Sequence, residues 1–142
     1  MTSKRELIVQ DIVDTLEHTT KDRTSRITIN KVTREPVIIE DMAMTAIPLA
    51  FVQSANEVRD YGAMGSEFDA ELEIVLHLYV MSSTRDSDRN LLLNIVESSL
   101  LEDVSRGGAA IDTRITEIDL VEFGEAAPFA SLEVTVSVDY CY

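Results

Sequence analysis

The chain has 142 residues, 45% of them hydrophobic, which suits one domain with a modest but genuine core. Lys and Arg total 12 against 26 Asp and Glu, a formal net charge of −14, so the chain is a poor classical binder of DNA or anionic membranes, both of which demand basic patches. No apolar run approaches the roughly 18 residues that span a bilayer, and the single cysteine, Cys141, excludes an internal disulfide framework.

The MTSKREL start lacks a signal peptide's apolar stretch and predicts an intracellular protein. Residues 4–19 read as an amphipathic helix, with Ile8, Val9, Ile12, Val13 and Leu16 in one stripe and Ser3 with Glu6 as a capping box. Polar residues from Thr19 to Ser25 form a loop. Residues 26–34 alternate imperfectly, as an edge or bent strand does. Pro36 interrupts that stretch, and 37–42 is a short apolar run of undefined type. Residues 47–55 read as a buried strand behind Pro48, and 56–66, NEVRDYGAMGS, as a turn-rich segment.

The clearest feature is 68–80, where every even position is apolar from Phe68 to Val80. The odd positions begin with Asp69, Glu71 and Glu73 and continue with Val75, His77 and Tyr79. Period 2 over such a run means a half-buried strand, about 40 Å long at about 3.3 Å per residue. Residues 86–105 form a second helix, with Asp86, Ser87 or Asp88 as its cap. Its inner stripe is Leu92, Ile95, Val96, Leu100 and Val104, and Arg106-Gly107-Gly108 is its stop. Residues 114–123 and 129–142 close the chain as a hairpin around the turn 124–128. Ile118 and Leu120 point away from Val121 and Phe123, which suggests a bulge or a switch of buried face. The order α-β-β-β-α-β-β predicts one α+β domain over 1–142: a mostly antiparallel sheet with two helices packed on one face. Its other face should then be a surface of Asp, Glu, Ser and Thr.

Catalytic signatures are absent: the chain has no G-x-G-x-x-G, no Walker sequence, no G-x-S-x-G and no H-E-x-x-H. His77 as a general base needs a carboxylate, and Glu73 stands about 13 Å away along an extended strand, so a partly exposed sheet histidine is the better account. His18 suits a cationic helix end. Asp69, Glu71 and Glu73 repeat about 7 Å apart on one strand face, which fits a solvated or subunit-facing acidic strip better than a divalent-ion site. Two histidines and one cysteine, far apart, leave little for zinc, and no cofactor is implied. Cys141 has neither a base nor a helix N-terminus beside it and reads as structural. Met42, Met44 and Met64 in loop-like segments suit adaptable contact surface and partial burial equally.

One pattern covers nearly the whole chain. ELIVQDIVDTLE leads to INKVTREP, then PLAFVQSANEVRDY, ELEIVLHLYV, LLLNIVESSLLED and a final hairpin ending in VTVSVDY. This series resembles the tail terminator (tail completion) proteins of long-tailed bacteriophages. The resemblance implies a structural virion protein with no enzymatic role. It implies a ring of six subunits on the last ring of the tail tube, made in the host cytoplasm and housed in the virion tail or neck. Its partners would be the tail tube protein, the neck or connector protein, and DNA passing through the channel without specific binding. The residues suit such a role. Long strands 68–80 and 129–142 offer edges for neighbouring subunits, and an acidic channel lets DNA slide. Asp69, Glu71 and Glu73 are candidates for the lumen or subunit interface. Arg59, Asp60, Tyr61 and Met64 are candidates for partner contact, with Arg59 and Tyr61 of hot-spot type. Other readings are a neck, head-completion or tube-like virion protein, a small α+β enzyme using His77, and an interaction module unconnected to phage.

Overall fold

The computed structural model describes residues 3–18, 29–36, 48–62, 68–81, 85–121 and 129–141. Helix α1 spans Lys4–His18. The strands are β1 (Lys31–Thr33), β2 (Leu49–Tyr61), β3 (Phe68–Met81), β4 (Asp112–Val121) and β5 (Phe129–Cys141), with α2 (Arg85–Leu101) between β3 and β4. They form a five-stranded sheet in the order β1-β2-β3-β5-β4. Among the described residues, β1 and β2 run parallel and the other three pairings are antiparallel. The α+β expectation and its element order hold.

Period-2 patterning builds the core. On β3, Ala70, Leu72, Ile74, Leu76, Leu78 and Val80 are all buried, and cross-strand register sets them beside Tyr140, Val138, Val136, Val134, Leu132 and Ala130 of β5. Ile8, Val9, Ile12, Val13 and Leu16 of α1 and Leu92, Val96 and Leu100 of α2 join the same cluster. Both helices therefore cover one face of the sheet. Full burial of such side chains contributes about 1.5–3 kcal/mol each before entropy is counted.

The helix ends depend on side chains. Ser3 Oγ accepts the Glu6 N–H at 3.1 Å, and the Ser3 carbonyl accepts the Leu7 N–H at 3.0 Å, as an N-cap should. The Glu6 carboxylate turns to Arg34 instead, 2.7 Å away. Helix α2 ends at Leu101, four residues before the expected limit, so Val104 leaves the inner stripe and is exposed. The reason is Arg106. Its buried side chain folds back to donate to the Leu100 and Asp103 carbonyls, satisfying acceptors that the helix end leaves open. The same guanidinium lies 3.3 Å from Asp11 and ties α2 to α1. Arg106 itself sits at φ 50, followed by Gly107 at φ 69 and Gly108 at φ 93, backbone that glycine accepts without penalty. The predicted stop is thus a return loop, not a cap directly on the helix.

Two further expectations change. Strand β2 does not stop at residue 55. Asn56–Tyr61 pair with Phe68–Glu73 after a bulge at Ala55, so most of the supposed turn segment is strand. Cross-strand pairing there overrides the weak β propensity of Asn, Glu and Asp. The long strands β3 and β5 are interior and offer no edges. Among the described residues, the edges of the sheet are β4 and, beyond the short β1, the remainder of β2. Strand β4 has a bulge, but between Ile115 and Glu117; at Leu120 and Val121, where the phase change suggested one, the register is unbroken. The 19–25 loop, the 37–42 run and the 124–128 turn lie outside the described residues, as do Met42, Met44, Met64 and Phe123.

Candidate interaction surfaces

Beyond Val52, β2 leaves the core. Gln53–Tyr61 are largely exposed, and this half of the strand, with the start of β3 and the end of β5, forms a projecting end of the sheet. Its two sides differ in chemistry because alternate residues point opposite ways.

The side that carries the helices holds a cluster of cations and aromatics around one carboxylate. Glu57 accepts from Arg5 Nε at 3.1 Å and Nη2 at 2.9 Å, from Arg59 Nε at 2.6 Å, and from the Tyr140 hydroxyl. Burial pushes the Glu57 carboxyl up. The hydrogen bonds from Arg5, Tyr140 and Arg59, with the Arg5 charge, outweigh that and hold it at about 2, down from 4.5. Burial and the Glu57 charge together push the Tyr140 hydroxyl up. The Arg59 guanidinium lies 4.2 Å from the centroid of the Phe68 ring, and its Nη1 is 3.3 Å from the Tyr61 hydroxyl. Tyr61 and Tyr140 flank Phe68 at centroid distances of 5.4 and 6.2 Å. Lys4 adds a further cation, donating to the Cys141 carbonyl at 2.6 Å.

The opposite side of the sheet is acidic. Register places Asp60, Asp69, Glu71, Glu73, Asp139, Asp112, Glu117, Asp119 and Glu133 on this one face. Its described cations are Arg114 and Lys31. Arg114 clamps Asp139 at 2.5 Å and Asp112 at 3.1 Å, and those two bonds raise its already high proton affinity. Ser137 Oγ donates to Glu71 at 2.9 Å. Among the described residues, no group of three His, Cys, Asp or Glu side chains is arranged to hold a metal ion.

His77 also stands on the acidic face. Its Nε2 is 3.0 Å from the Gln53 amide oxygen, its Nδ1 is 3.5 Å from Glu133, and its ring stacks on Phe51 at 5.1 Å. The carboxylate beside it comes from the neighbouring strand, not from Glu73. The imidazole is held between side chains of the two neighbouring strands, β2 and β5.

The structure keeps the acidic strip together: Asp69, Glu71 and Glu73 share one face as expected. It divides the other predicted group. Arg59 and Tyr61 lie on the helix side, Asp60 lies across from Asp69 on the acidic side, and Met64 is outside the described residues. Sequence reasoning missed Arg5, Glu57 and Tyr140 in the cationic cluster and Arg114 with Asp139 on the acidic face. Alternation of Glu57, Arg59 and Tyr61 with Val58 and Asp60 carried the signal for the first group, once the segment is read as strand.

No protein-family model matches the chain, and no curated protein matches it. No helix among the described residues is long and apolar enough to cross a membrane. The fold has solved counterparts. One is a chain from the virion of a native gene transfer agent particle, similar over 89% of this chain and 92% of that one, at a TM-score of 0.55 and 10% identity.

Proposed function

We propose that this chain is a structural virion protein of tailed-phage type, and that it forms the ring, six subunits in number, that caps the tail tube, ends its polymerisation and joins it to the neck. The observation that carries the reading is the shared fold with a chain of a gene transfer agent virion, which spans nearly the full length of both chains. The surfaces support it. A closed ring needs two different contact surfaces on each subunit, and the projecting end offers two sides of opposite charge. A face of nine carboxylates would repel phosphate, so a channel wall built from it would let DNA pass without holding it. The chain acts in this reading as a scaffold, with no catalytic residue.

Removal of the chain from virion-producing cells tests the proposal. The expected result, by electron microscopy, is tail tubes of irregular length without attached heads. Complete particles with tails of normal length would contradict it.

A further inference from the structure

We infer that copies of this chain associate head to tail, the cationic and aromatic side of the projecting end in one copy seating on the acidic side of the same end in the next. The inference rests on the ring reading and names the surface through which the ring would close. On one side stand Arg59, Tyr61 and Phe68, with Lys4 and Arg5 of α1 beside them. Tyr61 is 54% exposed, and the Arg5 and Arg59 side chains are 45% and 34% exposed. Exposed tyrosine and arginine at the centre of a patch are the residue types that anchor protein interfaces. On the other side stand Asp60, Asp69, Glu71 and Asp139.

Charge selects the occupant. The register sets Asp60 directly across from Asp69 and Glu71 directly across from Asp139. Like charges directly opposite each other destabilise a sheet. Arg114 and Ser137 relieve the second pair, whereas no ion pair relieves the first among the described residues. A second copy supplies the missing cations from Arg59, Arg5 and Lys4. Contact between two like sides would set acid against acid or cation against cation, so a two-fold dimer is disfavoured. The opposite-side contact joins unlike charges, uses both sides of every copy, and repeats until the ring closes.

Sedimentation of the full chain tests this, first by salt. The expected result is an oligomer at low salt whose self-association weakens at least tenfold as sodium chloride rises to about 1 M, where screening acts within about 3 Å. Two double variants follow, each checked for retained circular dichroism. Lys4→Glu with Arg59→Glu, and Asp69→Lys with Glu71→Lys, should each be monomeric alone. Mixed in equal amounts they should assemble again, because both contacts then join opposite charges. An oligomer indifferent to salt and to both variants would overturn the inference and leave the ring standing on other contacts. A pair of monomeric variants that stay apart when mixed would also overturn it. A wild-type chain that is monomeric at low salt would overturn both this surface and the ring itself.

Discussion

Strands β3 and β5 present two faces made by alternate residues of the same backbone, and the faces have opposite fates. Toward the helices the side chains are aliphatic and buried, from Leu72 to Val80 and from Ala130 to Val138. Away from the helices the same strands carry Asp69, Glu71, Glu73, Glu133 and Asp139. The first face holds the fold together. The second gives little to the core, so its composition answers to something outside the subunit. The comparison teaches that alternate positions of one strand answer to different demands, burial on one side and charge on the other.

Substitutions on the two faces should separate these roles, with effects falling in order. Leu76→Ala, in the centre of the core, should cost about 2–5 kcal/mol, measured as a drop in the urea midpoint. Arg106→Ala removes the acceptor-satisfying tie at the end of α2 and the link to Asp11. It should cost about 1–3 kcal/mol, with the loss seen as faster amide exchange in the last turn of α2. Glu57→Gln, at the border of the two regions, should cost about 1–2 kcal/mol at neutral pH.

That last cost should depend on pH. The folded-state pKa of Glu57 is depressed to about 2 from 4.5, so its carboxylate stabilises the fold fully above about pH 4.5 and loses that contribution as pH falls toward 2. Urea midpoints of wild type and Glu57→Gln should therefore converge between pH 4.5 and 2. A gap that stayed constant across that range would remove Glu57 as the titrating tie. The smallest effect on stability belongs to the acidic face. Asp69→Asn should change the melting midpoint by no more than about 0.5 kcal/mol equivalent, or raise it slightly by relieving Asp60. A larger loss would mean that this carboxylate serves the fold, not a contact.

Much of the fold was legible because periodicity reports burial directly. The even positions of 70–80 and of 130–140 and the stripe Ile8 to Leu16 mark core residues that the structure confirms, whereas Phe68 is only partly buried. The acidic strip was legible for the same reason. The cationic cluster was not, because it needs three distant segments to meet: Arg5 from α1, Glu57 and Arg59 from β2, and Tyr140 from β5. The residues 56–61 look like turn chemistry when read locally and become strand only through their pairing with 68–73. The early end of α2 was hidden for a similar reason. A long side chain, Arg106, terminates the helix from five residues beyond it, and no local propensity encodes that. The sheet order was also beyond local pattern. Length and clean alternation marked β3 and β5 as half-buried, but only the topology shows that they are central and that β4 is the outermost of the described strands.

The central claim is that this chain is a subunit of a closed ring. The native mass of the purified full chain at low salt, by sedimentation or native mass spectrometry, tests it most directly. The account predicts a single closed species near six protomers. Open-ended polymers would point to a tube-like subunit instead, and a monomer at every concentration would contradict the ring.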